Sequence, residues 1–273
     1  GRGEFFATVA TGFCKVPTGR TARMCDRVSR EKSFHDELAK SAFSSRRLVN
    51  RLAASFYDPM LLWADVWPKV GDLRGRVALD LGCGQGWLSQ ELARQGAVVC
   101  GLDLSHELLI LALKSIEGCV RTRVCFVQGD AHRLPFGDAT FDLVVGSGIL
   151  HHLSVETAYA EVARVLKSQG YAFFVEPLDK HPALRLFRRL TPHARSRDEK
   201  PLSFDMITLA NRFFEGVSHK EFFLLSVIAA PMNILSPRAG RVLTRLLAKF
   251  DNKLFEHMPG VGRYAWIVRI ECR

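Results

Sequence analysis

The sequence predicts an α/β fold built on a doubly wound, mostly parallel sheet, and three observations support that prediction. Short apolar runs of strand length alternate with helical patterns through residues 76–176. The first run ends in a tight glycine turn formed by Gly82, Gly84 and Gly86. The second run closes on Asp103, about 20 residues further on, where nucleoside-binding sheets carry a carboxylate for the ribose.

The elements of this core follow one another regularly. Gly96 suits the end of the first helix, and Ser154 is a suitable N-cap for the third. Strands that alternate with helices predict a parallel sheet with right-handed crossovers. The predicted strands are 76–82, 98–104, 122–128, 141–147 and 170–176, and the predicted helices are 86–95, 105–116 and 154–167.

Two segments precede the core, which we expect to occupy residues 71–177. Residues 1–30 lack clear periodicity and carry six Lys/Arg against two acidic residues. This composition predicts either a flexible basic tail or the remnant of an organelle-targeting segment. Apolar residues within 33–56 recur at helical spacing, so that residues 31–70 are expected to form a helical cap.

After the core, residues 178–273 are expected to complete the sheet and to add a second helical cap. Segments 222–228 and 264–271 have the composition of strands. Between them, a serine followed by Pro237 signals the start of a helix that runs to about residue 254. A further helix near 184–190 is expected to pack through one apolar stripe and to present arginines outward or toward the pocket mouth. The stripe is Leu184, Phe187 and Leu190, and the arginines are Arg185, Arg188 and Arg189.

Composition narrows the class of protein. The 273 residues carry a formal net charge of +10, but 1–30 and 178–200 contribute +4 each, so the remainder is nearly neutral. Such local basicity does not favour nucleic-acid binding. The seven cysteines include no Cys-x-x-Cys pair, which predicts reduced thiols, no metal site and a reducing compartment such as the cytoplasm. No apolar stretch reaches the length of about 18 residues that spans a bilayer.

Six ordered blocks carry a family resemblance. The first is Leu-Asp-Leu-Gly-Cys-Gly-Gln-Gly at 79–86, and the others are 101–105, 128–136, 141–145, 150–153 and 166–171. On these blocks the chain resembles the class I S-adenosylmethionine-dependent methyltransferases, in particular the quinone-biosynthesis type that acts on small molecules. The resemblance implies a seven-stranded sheet closed by an antiparallel hairpin. It also implies S-adenosylmethionine as the cofactor and S-adenosylhomocysteine as its product.

The resemblance implies roles at the carboxyl ends of the strands, where open parallel sheets bind their ligands. Asp103 would accept hydrogen bonds from the two ribose hydroxyls. Asp130 would accept from the adenine amino group, beside the backbone of Ala131. Leu104 and Leu134 would sandwich the adenine, with ordinary core packing as the alternative for both. The remaining expected cofactor contacts are Asp80, Gly82, Cys83, Gly84, Gly86, Gly146 and Ser147.

Methyl transfer from a sulfonium is an in-line displacement in which the protein mainly aligns the reactants and excludes water. A general base helps when the acceptor is a hydroxyl or a weakly acidic carbon. His151 and His152 follow the fourth strand and are the candidates for that base, with Glu176 as a weaker one. The alternative for the histidine pair is a structural role at the entry to the next helix.

The acceptor is expected to be a small molecule, either apolar or anionic, methylated on oxygen, nitrogen or carbon. The segment that follows the fourth strand, Gly146 to Ile149, lacks the Asn/Asp-Pro-Pro-aromatic run typical of base-amino methylation in this superfamily. A second reading is a methyltransferase of RNA or protein, including a carrier-bound substrate, that uses the basic segments. A third is a non-catalytic cofactor-binding partner of another enzyme.

Overall fold

Strands and helices alternate along the chain, and a computed structural model describes residues 13–15, 22–41, 59–190 and 199–273. The strands are β1 (Phe13–Lys15), β2 (Val77–Leu81), β3 (Val98–Asp103), β4 (Val124–Gln128), β5 (Phe141–Ser147), β6 (Leu166–Pro177), β7 (Val217–Phe222) and β8 (Ile267–Cys272). The helices are α1 (Ala22–Ser41), α2 (Pro59–Trp63), α3 (Val66–Val70), α4 (Trp87–Arg94), α5 (His106–Ser115), α6 (Val155–Val165), α7 (Pro182–Leu190), α8 (Phe204–Thr208), α9 (Ala230–Leu235) and α10 (Pro237–His257).

The described strands form one sheet in the order β1–β4–β3–β2–β5–β6–β8–β7. The pairs from β1 to β6 are parallel, and β8 runs antiparallel to both of its neighbours, β6 and β7. The seven strands from β2 to β8 make the doubly wound sheet expected from the sequence. The three-residue β1 adds an outer strand beside β4.

The central strands are mostly apolar because both faces of the sheet are covered. Along β2, Leu79 and Leu81 belong to one apolar cluster and Ala78 to another on the opposite face. Side chains of α6 fill the first cluster, and side chains of α4 and α5 fill the second. Parallel strands between two helical layers therefore appear in the sequence as continuous apolar runs.

The strand expected at 222–228 is wrong. Strand β7 lies earlier than expected and ends at Phe222, and Ser226–Ala229 forms a 3-10 turn. The carboxylate of Asp251 on α10 accepts hydrogen bonds from the backbone N–H groups of Leu224, Leu225 and Ser226, at 3.0, 2.9 and 3.1 Å. These bonds turn the chain away from the sheet, so the apolar residues there pack against a helix.

The N-terminal cap also differs from the expectation. Helix α1 begins at Ala22 and ends at Ser41, whereas the sequence pattern favours 33–56. Residues 42–58 lie outside the described residues, as does most of the segment 1–21. The start of α1 and the short β1 therefore fall within 1–30, where no regular element is expected. In the second cap, α7 forms at the expected place, but Leu190 is 73% exposed and does not pack.

A buried arginine ties the antiparallel end of the sheet to the N-terminal helices. The guanidinium of Arg269, on β8, is fully buried and donates to both carboxylate oxygens of Asp65 and to Glu271. The Arg269 and Lys220 cations hold the pKa of Asp65 well below its usual range, against the effect of its partial burial. This network fixes the segment before β2 against the far side of the sheet.

Within the described ranges, no helix is both long enough and apolar enough to cross a bilayer.

Candidate active site

A pocket of about 220 Å³ lies at the carboxyl ends of the central strands. Gly84, Asp103 and Asp130 line it from the strand ends, and Glu31 of α1 lines it from the opposite side. His152, which follows β5, completes the wall between them. The pocket thus occupies the position at which open parallel sheets bind their ligands.

The three glycines of the turn after β2 differ in what surrounds their Cα atoms. All three adopt left-handed backbone angles, with φ of 68° at Gly82, 51° at Gly84 and 78° at Gly86. A Cβ added to Gly82 would lie 2.7 Å from the Ile149 side chain, and one added to Gly86 would lie 2.9 Å from Phe126. A Cβ on Gly84 would meet nothing within 4 Å. Gly84 therefore presents bare backbone to the pocket, whereas the other two allow close packing.

Asp103 connects the end of β3 to this turn. Its Oδ2 accepts a hydrogen bond from the Gly84 N–H at 2.8 Å, and its Oδ1 accepts one from the Ser105 N–H at 2.8 Å. Burial raises the pKa of Asp103, although the two backbone donors oppose that effect. The side chain is nevertheless part of the pocket wall, so its remaining lone pairs are available to a ligand.

A histidine that the sequence analysis did not single out positions Asp130. The His132 Nδ1 lies 2.8 Å from Asp130 Oδ1, and the His132 Nε2 lies 3.0 Å from the backbone N of Ser154. Because the Ser154 N–H can only donate, Nε2 is the acceptor and Nδ1–H donates to Asp130. Asp130, Ala131 and His132 all line the pocket.

Other expected cofactor residues lie behind the pocket wall. Asp80 is buried and accepts a hydrogen bond from Ser89 Oγ at 2.6 Å, and burial raises its pKa to about 7. Cys83 is buried, and burial raises the pKa of its thiol. Gly146 packs under Ile149, and Ser147 is half-buried at the end of β5. Of the two leucines, Leu104 lines the pocket and Leu134 belongs to the core.

The expected catalytic residues meet after β5. Glu176 is fully buried, and its Oε1 accepts hydrogen bonds from the backbone N–H groups of Ile149 and Leu150, at 2.9 and 2.8 Å. Its Oε2 lies 2.7 Å from the His151 Nδ1. The rings of His151 and His152 are 4.1 Å apart, and His152 lines the pocket. A buried carboxylate thus orients a histidine beside the pocket.

Helix α1 supplies a wall that sequence reasoning missed. Arg27 Nη2 donates to the His152 carbonyl oxygen at 2.8 Å, and Glu31 Oε2 lies 3.2 Å from His152 Nδ1. The His35 ring is 5.2 Å from the His152 ring, and burial, followed by the charge of His152, lowers the pKa of His35. Arg27, Glu31 and His35 recur at intervals of four residues, a spacing that signals one helix face.

These side chains also offer metal-ligand geometry. The donor atoms of Glu31, His35 and His152 lie within 4.8 Å of one another, as do those of His151, His152 and Glu199. Imidazole and carboxylate are a donor set suited to zinc and related ions. Both groups use His152.

Known proteins match the core. A family model described as "Methyltransferase domain" matches residues 79–174. A demethylmenaquinone methyltransferase of Lactococcus lactis is 35% identical over 134 residues, which is 47% of this chain and 52% of the relative. The demethylmenaquinone methyltransferase of Shouchella clausii is 34% identical over 167 residues, covering 59% of this chain and 69% of the relative. The chain belongs to the class I S-adenosylmethionine-dependent methyltransferases.

This methyltransferase spans about half the length of the first curated relatives that it matches, 52% and 48%. Among solved structures, an S-adenosylmethionine-dependent methyltransferase from Mesorhizobium loti aligns with a TM-score of 0.51 at 20% identity. The alignment covers 76% of this chain and 96% of that one. At this identity the likeness concerns the fold alone.

S-adenosylmethionine is the cofactor of this methyltransferase, and the pocket fits it. The bare backbone at Gly84 leaves room for a ligand against the turn, and the Asp103 carboxylate borders the same space. Leu104 and Leu108 supply apolar wall. A nucleoside needs this combination of an acceptor pair for its ribose and an apolar surface for its base.

Proposed function

We propose that the protein transfers the methyl group of S-adenosylmethionine to an oxygen, nitrogen or carbon atom of a small-molecule acceptor. The observation that carries this proposal is the pairing of Asp103 with the open face of Gly84 in one pocket, next to His152. The family membership and the names of its relatives support the same activity. Bound S-adenosylmethionine supplies an electrophilic methyl group on a sulfonium.

The adenosine contacts are assigned to residues that line the pocket. We assign the ribose hydroxyls to Asp103 and the adenine edge to Asp130 and the backbone of Ala131, with Leu104 against one face of the ring. Asp80, which lies behind the pocket wall, is assigned an indirect role toward the amino end of the cofactor, as the family resemblance implies. The backbone of Gly146 and Ser147 is assigned to the methionine part on the family resemblance alone, because neither residue lines the pocket.

We assign the general base to His151 and a positioning role to Glu176. A neutral His151 donates its Nδ1–H to the buried carboxylate at 2.7 Å, so its Nε2 keeps a free lone pair. The two backbone N–H groups on Glu176 Oε1 keep that carboxylate in place. Nε2 can then accept a proton from a hydroxyl or from a weakly acidic carbon as the acceptor attacks.

The base is tested with His151→Gln and Glu176→Gln. A histidine–glutamate pair of the same kind, His219 and Glu221 at 2.9 Å on β7, provides the matched control His219→Gln. We expect His151→Gln to lower kcat by about 100-fold or more, with unchanged affinity for S-adenosylhomocysteine. The ionisation seen when wild-type kcat/KM is measured against pH should vanish in that variant. Glu176→Gln should lower kcat less and should move the midpoint of that pH profile. Normal turnover in both would leave catalysis to alignment alone.

The acceptor is identified with methyl-labelled S-adenosylmethionine. Because relatives are named for demethylmenaquinone and for ubiquinone biosynthesis, quinone-type acceptors in their reduced, hydroxyl-bearing form are the first to assay. Mass spectrometry of the labelled product identifies the methylated atom. A salt titration separates a small acceptor, whose turnover should change little, from RNA, whose binding should fall steeply on a log–log plot.

The compartment is proposed to be reducing. Cys83, Cys100, Cys119, Cys125 and Cys272 are free thiols among the described residues, and four of them are buried in the core. Buried thiols of this kind behave as small apolar residues. The unfolding temperature of the purified chain should be the same with and without a reductant if the proposal holds. A large difference between the two temperatures would contradict it.

A further inference from the structure

Large apolar side chains are exposed along the outer side of α10. Val242, Leu246 and Phe250 are 60%, 59% and 56% exposed. Their spacing of four residues places them in one row along the helix, which we call the apolar row. Three large side chains in one row are an unusual exposure for a protein surface that has no partner.

The exposure does not come from a loosely attached helix. The opposite face of α10 buries Gly240, Thr244 and Asp251. Asp251 accepts hydrogen bonds from three backbone N–H groups and from Ser226 Oγ, and Thr244 Oγ1 accepts one from Asn233 Nδ2 at 3.3 Å. The orientation of the helix is therefore fixed, and the apolar row is held in solvent.

A second row on α10 is cationic. This cationic row is formed by Arg241, Arg245, Lys249 and Lys253, which are spaced four residues apart. The first three each precede one member of the apolar row, and Lys253 extends the cationic row by one more turn. All four are exposed, and none has an ion-pair partner within the part of the chain that the structure describes. Of the two acidic residues on α10, Asp251 is buried and only Glu256 is exposed. Cations therefore dominate the exposed charges of the helix.

The exposed apolar surface continues beyond α10. Ile228, Met232 and Leu235 are also exposed, on the 3-10 turn at Ser226–Ala229 and on α9. Both elements pack against α10. The apolar and cationic rows thus belong to a larger structural unit and not to an isolated helix.

We propose that α10 binds the surface of an anionic lipid bilayer. The apolar row would enter the boundary between headgroups and acyl chains, and the cationic row would lie at the lipid phosphates. A second copy of the chain is a poorer occupant, because a two-fold interface over α10 would bring two cationic rows together. This consequence rests on the proposed methyl transfer: binding here would give the enzyme access to amphiphilic acceptors dissolved in the bilayer.

Flotation of the full chain with vesicles tests the proposal. We expect it to float with vesicles of phosphatidylglycerol and phosphatidylcholine in equal amounts, and not with phosphatidylcholine alone. Added salt should release it, because exposed charges are screened. The double variant Leu246→Gln/Phe250→Gln should lose about tenfold or more in binding, whereas the matched control Leu246→Met/Phe250→Leu should keep it.

A charge pair of variants completes the test. Arg245→Gln/Lys249→Gln should weaken binding by about fivefold per charge, the value expected for a cation near an anionic surface. The control, Arg121→Gln/Arg123→Gln, removes two exposed cations just before β4, toward the other edge of the sheet, and should bind as the wild type does.

Three results would overturn the proposal: no flotation of the wild type, equal flotation of all variants, or flotation that is equal on neutral vesicles. Light scattering tests the alternative occupant, a second copy of the chain. If the wild type is a dimer that does not bind vesicles, and if Leu246→Gln/Phe250→Gln makes it a monomer, this face is a self-interface. Affinity for S-adenosylhomocysteine is measured on every variant. That affinity should not change, so a failure here is separate from a failure of the proposed methyl transfer.

Discussion

Asp103→Ala should weaken cofactor binding while the fold is retained. Each carboxylate oxygen has about two lone-pair positions, and each Asp103 oxygen already uses one for a backbone N–H, of Gly84 or of Ser105. About two positions remain on this pocket-lining side chain, one for each ribose hydroxyl. Each hydrogen bond to a charged acceptor contributes about 1.5–3 kcal/mol, and we take the value of one bond as the smallest loss expected when the pair is removed. The expected loss of that size corresponds to an increase in Kd of about 10- to 150-fold.

The substitution also removes two internal hydrogen bonds, so its structural cost needs a matched control. Asp142, at the start of β5, accepts from the Val77 N–H at 2.9 Å and from Lys167 Nζ at 2.8 Å. It lies away from the pocket lining. Asp142→Ala therefore loses a bond to the backbone of the same kind without touching the cofactor site.

Isothermal titration with S-adenosylmethionine and S-adenosylhomocysteine measures the affinity, and thermal unfolding without cofactor measures the structural cost. Cofactor should raise the unfolding temperature of Asp142→Ala as it does that of the wild type, and should raise that of Asp103→Ala much less. Wild-type affinity in a folded Asp103→Ala protein would refute the ribose role. Equal losses in both variants would assign the effect to stability.

Other perturbations give further expectations. Gly84→Val should abolish cofactor binding with little change in circular dichroism, because its side chain would fill open pocket space at a φ of 51°. Burial raises the pKa of Asp80 from its ordinary 3.8 to about 7, so the stability it contributes is present in acid and is lost as pH rises through 7. Urea unfolding should therefore show the wild type losing up to about 4 kcal/mol relative to Asp80→Asn between pH 4 and 8, and parallel curves would contradict it. Arg269→Met should lower the free energy of unfolding by about 3 kcal/mol, because it leaves Asp65 and Glu271 without their buried partner; a change below about 1 kcal/mol would argue against that network. EDTA should leave turnover unchanged, and a chelator-sensitive rate would assign the groups around His152 to a metal.

The core could be predicted because its signals are local. Apolar runs that must be buried on both faces, the glycines of the turn and the acid that ends β3 all lie in one continuous stretch of sequence. The strand expected at 222–228 does not form, and the reason is the opposite one. Apolar residues have the same composition whether they pair in a sheet or pack on a helix, and only the distant carboxylate of Asp251 decides between the two.

The site divides in the same way. The sequence by itself determined the family, the cofactor and the positions of Gly84, Asp103 and Asp130, because these depend on motif spacing within one strand–turn–helix unit and its neighbours. Only the tertiary structure decided that α1 covers the pocket with Glu31 and His35, and that Glu176 orients His151. Those contacts join residues that are far apart in the sequence, from 25 positions for Glu176 and His151 to 125 positions for Arg27 and His152. The charge of α10 is a similar case. A count of charges along the sequence does not distinguish its cations from those elsewhere in the chain. That they lie in a row beside exposed apolar side chains depends on which face of the helix Asp251 fixes against the protein.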